Sequence, residues 1–243
     1  MPDPIGWVVL FVGALVGSVV GGVAGFGAGI IMLPLVSWAV GSRSAVPVLT
    51  VTMSIGNLSR IWWSRREVDG AVVVRFALGA VPATAFGTAL YAGVPAEWLG
   101  RFVGVFLIAS VPLRRLLATH LFRMRLRHFP LLGAFIGLLS ALVVTTGPLN
   151  TPFFLAYGLR RSAFVGTEAV CAMSMHLARG AALARYALLT WDTVVVGTVL
   201  GGTMFAGAWL GRRMLDHMSD RVFLGILEAL LVAMGLQSLL FPR

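Results

Sequence analysis

Within the apolar runs of this 243-residue chain, residues that could do chemistry fall in two places in each half. One is a pair of helix-breaking stretches: GFGAG, with Gly25, Phe26, Gly27 and Gly29, and TTGPLN, with Thr145, Thr146 and Asn150. A helix interrupted there leaves amides unpaired, and a helix N-terminus carries partial positive charge, so both breaks suit an anion. Thr145, Thr146 and Asn150 add side-chain donors. The alternative is structural, with glycine serving close packing and the polar side chains serving as caps. The other place is the segment after each break. Thr50, Ser54 and Asn57 form a helical stripe, and the corresponding positions in the second half are Glu168, Ala172 and Met175. His176 and Arg179 lie one turn apart, close enough to line one cavity. Arg179 and its approximate first-half relative Arg60 could offer an anion a planar fork of charge-assisted donors, and snorkelling to an interface is the competing reading for both. Glu168 lies about 10 Å along its helix at about 1.5 Å per residue, where an unpaired charge is costly. It should be paired, hydrated or protonated. Glu168 and His176 are the candidates for moving a proton, and bonding a helix break or an arginine is the plainer role for Glu168.

Membrane helices must position these residues. Hydrophobic residues make up 58% of the chain and charged residues 12%, with mean hydropathy +0.93, against roughly 25% charged in an ordinary soluble domain. Apolar runs of roughly 15 to 25 residues leave no space for a soluble domain, so one transmembrane domain over 1–243 is expected. The net charge of +10 would suggest nucleic acid in a soluble protein. Here all 19 basic residues are arginine and they concentrate between apolar runs, as the positive-inside rule expects. The lone Cys171 excludes an internal disulfide and a two-cysteine relay. No G-x-x-x-x-G-K loop or HExxH spacing occurs, so no nucleotide cofactor and no metal site is expected.

Glycines at 13, 17, 21, 25 and 29 make one bare strip on a helix that should break and end by Pro34. Residues 6–40 therefore read as a hairpin of two short or broken helices, retained rather than cleaved because Met1-Pro2-Asp3-Pro4 has no basic n-region. Ser44 to Trp63, Ala71 to Ala92 and Ala96 to Leu117 read as three spans, followed by a basic link with Arg114, Arg115, Arg123, Arg125 and Arg127. The pattern then repeats. Gly133 and Gly137 correspond to Gly13 and Gly17, Pro152 to Pro34, and Arg161-Ser162-Ala163 to Arg43-Ser44-Ala45. The second half should hold a hairpin from Phe129 to Tyr157 and spans near 162–188, 192–213 and 219–241. An all-α polytopic membrane protein follows, with repeats at about 5–117 and 129–241 and the link at about 114–128. A hairpin plus three spans is an odd number of crossings, so the repeats must be inverted. Arg65, Arg66, the link, Arg160, Arg161, Arg212 and Arg213 then fall inside, and both termini outside. The two breaks should face each other near the bilayer middle.

The glycine-rich first helix running into GFGAGIIMLPL, the Arg-Ser-Ala step with a polar helix after it, and their recurrence past a basic central loop resemble the TauE/SafE family over essentially the whole chain. The resemblance implies a carrier in the cell membrane for sulfur-containing anions such as sulfite, sulfoacetate or other organosulfonates. Ala28 stands where some relatives have a denser glycine cluster. Inverted halves would rock around a central site, with Glu168 or His176 coupling a proton. A passive anion channel is the alternative within transport. A membrane enzyme or sensor subunit is a further alternative, although no nucleophile with a placed base is present to make the chain an enzyme. The expected partners are a small anion and the lipid bilayer. Homo-oligomerisation is left open, with Glu228 in the last span able to serve a helix interface or a dimer contact.

Overall fold

The computed structural model describes residues 2–90, 124–142, 147–185, 189–219 and part of 221–236. Asp3 starts the first helix by accepting the Gly6 N–H at 2.7 Å, and Pro4 fills the first turn, where its missing N–H costs no helical bond. Helix α1 (Pro4–Ala24) has 21 residues, one complete span rather than the expected short or broken helix. Gly25 and Gly27, with φ of 80° and 104°, reverse the chain in a left-handed conformation that glycine adopts without a Cβ clash. Helix α2 (Ala28–Val40) returns along α1.

Pro34 does not end a helix as expected. It lies inside α2, as Pro152 lies inside α6 (Gly147–Tyr157), because one lost helical bond is tolerated in a packed helix. The glycine strip closes the hairpin: Gly13 faces Met32 and Leu35, and Gly17 and Gly21 face Ala28.

The chain continues through α3 (Ser42–Ser64), α4 (Gly70–Leu90), α5 (Phe129–Leu142), α6, α7 (Arg161–Arg185) and α8 (Trp191–Asp216), with no strand among the described residues. The expected span Ala96 to Leu117 lies outside the described residues, and 219–241 is described only in part. Among the described residues three helices, α1, α4 as far as Thr88, and α8, are long and apolar enough to cross a membrane. Helices α3 and α7 have the length, at 23 and 25 residues, but carry the polar side chains.

Helices α3 and α7 run antiparallel against each other: Ser64 meets Gly166, Arg60 meets Glu168 and Thr50 meets Gly180. On one side α8 runs parallel to α3, with Gly197 at Val51 and Gly201 at Ile55, and parallel to α1, with Gly207 at Ser18 and Gly211 at Gly22. On the other side α5 runs parallel to α4, with Gly133 at Phe76, Gly137 at Ala80 and Ser140 Oγ 3.0 Å from Thr84 Oγ1. Gly133 and Gly137 thus face α4, not their own hairpin partner as Gly13 and Gly17 do. In lipid, where apolar side chains gain little by leaving the solvent, such backbone approach at small residues is what holds helices together. Edge-to-face rings add to it: Phe154 packs on Phe76, Phe129 and Phe164 at centroid distances of 5.8, 5.5 and 6.4 Å.

These directions bring the end of α3, the start of α7 and the end of α8 together, since Ser64 meets both Gly166 and Arg212. Arg65, Arg66, Arg160, Arg161, Arg212 and Arg213 therefore gather at one end of the bundle, and Arg185 closes α7 at the other.

Candidate functional site

The bend between α1 and α2 meets the centre of the bundle at Arg60. This side chain stands one turn after Asn57 on α3 and turns inward. Its Nη1 donates to the Gly25 carbonyl and to Glu168 Oε2 at 3.2 Å, and its Nη2 donates to Asn57 Oδ1. The Gly25 carbonyl follows the last turn of α1, where carbonyls lack intrahelical partners, so a cation is well placed there. Glu168 is 1% exposed and Arg60 12%, so the pair lies inside the protein and Arg60 does not snorkel. The demand that Glu168 be paired is met from the other half of the chain.

Phe26, at the tip of the first break, rests on Gly147 at the start of α6, and a Cβ on Gly147 would also come within 3.0 Å of Glu168 Oε1. The two breaks thus touch beside the carboxylate. They do so away from the helix midpoints. At about 1.5 Å per residue, Arg60 lies about 10 Å past the middle of α3 and Glu168 about 8 Å before the middle of α7, both toward the arginine-rich end. The breaks meet nearer that end because α1 runs for 21 residues before it bends.

One cavity collects Gly25, Phe26, Gly27 and Gly29 of the first break, Asn57 and Arg60 of α3, Gly147 of α6, and Glu168 and His176 of α7. The first turn of α2 borders it, and Gly27 supplies no side-chain cap, so the positive end of that helix is open to the cavity. His176 is buried with no partner for Nδ1. The free volume is about 20 Å³, enough for a water among these polar groups.

Other candidates lie elsewhere. Arg179 is 2% exposed, one turn beyond His176 and next to the Gly180–Thr50 contact, and does not line this cavity. Asn150 is fully buried on α6 with neither amide atom bonded, also outside the lining. Thr145 and Thr146 lie outside the described residues. The Thr50 and Ser54 hydroxyls donate to the carbonyls of Val46 and Thr50 on their own helix at 2.8 and 2.7 Å, so of that stripe only Asn57 joins the cavity. Near the arginine-rich end, Arg212 donates to Ser64 Oγ at 3.2 Å and to Glu67 Oε1 at 2.9 Å, and the Asp69 N–H donates to Thr167 Oγ1 at 2.9 Å. These bonds tie α8 and the α3–α4 connection to the helices around the site.

Among curated proteins and among solved structures, nothing matches the chain. A family model does: the one described as sulfite exporter TauE/SafE matches residues 9–238. With nearly the whole chain matched, and with long apolar helices around a buried polar cavity, this integral membrane protein belongs to the TauE/SafE sulfite exporter family.

Proposed function

We propose that the chain is a secondary carrier for small sulfur-containing anions, sulfite, sulfoacetate or another organosulfonate, and that it works by alternating access around the cavity at Arg60. The family is one of membrane transporters and suggests a small anion as substrate. The observation that carries the reading is the Arg60 guanidinium, held between the first break and Glu168 beside the open N-terminus of α2. A buried fork of donors next to a helix N-terminus suits an oxyanion. His176 adds an unpartnered nitrogen on the cavity wall. Glu168 and His176 are the groups through which a proton would be coupled. Arg179 and Asn150, which do not line the cavity in this conformation, belong to the same proposal as ligands in a further one, and Thr145 and Thr146 are proposed with them.

The architecture proposed with it is one transmembrane domain of two inverted repeats, about 5–117 and 129–241. The antiparallel α3–α7 contact and the matching pairs α1–α8 and α4–α5 support it. The gathering of arginines at one end supports placing that end in the cytoplasm of a cell whose plasma membrane the protein spans, with both termini outside.

Flux of labelled sulfite and sulfoacetate into proteoliposomes, with and without an imposed pH gradient, tests the reading. Uptake against a concentration gradient when the pH gradient is imposed is the expected result. Absence of flux for every small anion tried would sink it, and flux that only ever runs downhill would make the protein a passive channel.

A further inference from the structure

Building on the carrier reading above, we propose that Arg60 is the point at which the transported anion and the Glu168 carboxylate compete, so that one proton on Glu168 accompanies each singly charged anion. In this structure Glu168 holds Arg60 as an anionic ligand would, at 3.2 Å, and both side chains line the cavity that an oxyanion would enter. Taking up a proton converts the carboxylate to a carboxylic acid and removes its charge from the guanidinium. The anion then takes the freed donors. Its departure, with loss of the proton, restores the pair.

Counting charge on the pair decides the stoichiometry. Empty, Arg60 and ionised Glu168 sum to zero; with a monoanion on Arg60 and a proton on Glu168 the sum is again zero. Arg60 with a protonated Glu168 and no anion carries +1, and the intact pair plus an anion carries −1. A net charge is costly in a water-poor membrane interior, so the states that carry both or neither are the ones able to reorient. A dianion leaves a charge in either case. The site therefore selects hydrogen sulfite or a monosulfonate over the dianions of sulfite, sulfate and sulfoacetate, which narrows the substrates proposed above.

The groups around Glu168 leave this comparison intact. Arg60 faces it from α3. Cys171, His176 and Arg179 share α7, Asp69 precedes α4 with Tyr157 of α6 beside it, and Arg212 of α8 is held by Glu67 and Asp216. The first break contributes backbone, α6 contributes Gly147 to the lining, and α8 contributes nothing to it. Arg212 is compensated by Glu67 and Asp216, and the opposite charges of Asp69 and Arg179 do not change between the states. His176 Nδ1 has no acceptor within reach, so a proton placed there would go unbonded.

The test uses the full chain in proteoliposomes with a labelled alkyl monosulfonate, which releases no proton of its own, a pH-sensitive dye inside and a potassium–valinomycin potential. Wild type is expected to move one proton per anion, at a rate that the potential changes by less than twofold. In Glu168→Gln the empty carrier keeps a net charge, so the ratio of proton-driven net uptake to anion exchange should fall at least tenfold. Arg60→Gln should lower both. Net flux in wild type that follows the potential would overturn the proposal, even were neither variant to fold. So would a folded Glu168→Gln that keeps the wild-type ratio, or one that loses exchange as completely as net uptake. Wild type without exchange or net flux for any anion would instead remove the carrier reading on which the proposal rests.

Discussion

Arg60 and Glu168 are 108 positions apart in the chain and 3.2 Å apart in the structure, each the other's charge partner across the antiparallel contact of α3 and α7. Removing one member leaves an uncompensated buried charge, which costs about 3–5 kcal/mol, whereas removing both spares that penalty. Arg60→Gln and Glu168→Gln should each lower stability on that scale, and the double variant by clearly less than their sum. Equilibrium unfolding in mixed micelles with rising dodecyl sulfate measures the cycle, and additive losses would show that the two side chains do not depend on each other.

Gly147 has no space for a side chain. A Cβ there would overlap Phe26 and press on Glu168 Oε1 at 3.0 Å. Overpacking of this kind costs about 1–3 kcal/mol. Gly147→Ala should therefore be destabilised and slow in transport, and adding Phe26→Gly, which removes the Cβ it would strike, should recover part of the lost stability. A fully stable, fully active Gly147→Ala would mean that the two breaks do not meet so closely.

Two glycines of α8 should respond in opposite ways. A Cβ on Gly211 would lie 2.6 Å from the Val19 carbonyl and 2.9 Å from Gly22 Cα, backbone that cannot swing aside, while one on Gly202 meets nothing within 4 Å. Gly211→Ala should lose about 1–3 kcal/mol. Gly202→Ala should be neutral or gain up to about 1 kcal/mol from helix propensity. The same unfolding assay ranks them.

The proposed orientation can be read with thiol reagents, because the native Cys171 is buried. Glu67→Cys lies at the arginine-rich end, 39% exposed, and Asp192→Cys lies exposed at the other end of α8. A membrane-impermeant maleimide should label position 192 in intact cells and position 67 only after permeabilisation. The reverse pattern would invert the proposed topology.

Much of this was legible in local sequence. The strip Gly13, Gly17, Gly21 marks a face of close approach, and the hairpin with α2 uses it so. GFGAG marks the reversal at Gly25 and Gly27, and the polar runs of α3 and α7 mark the central helices. Proline misled at Pro34, which lies inside α2 and does not mark a break, because glycine torsions reverse a chain while one missing N–H does not. Arg60 was harder to read. Next to Trp62, Trp63, Arg65 and Arg66 it has the composition of an interfacial belt, and its direction is fixed by Gly25 and Glu168, which only the fold brings to it. Glu168 carried the one available signal, since a buried carboxylate calls for a cation. The Gly22–Gly211 contact had no local signal, because Gly22 lies one residue off the strip and its partner is at the far end of the chain.

The parallel pairs α1–α8 and α4–α5 each join a helix from one half of the sequence to a helix from the other, backbone against backbone. Mechanically, the two halves are therefore stitched into each other. Turning one half as a block would have to shear both seams at the glycines, where the contacts are least compliant. The bodies that move past each other in a transport cycle should then be mixed ones, each carrying helices of both halves, with the slip confined to the polar seam between α3 and α7.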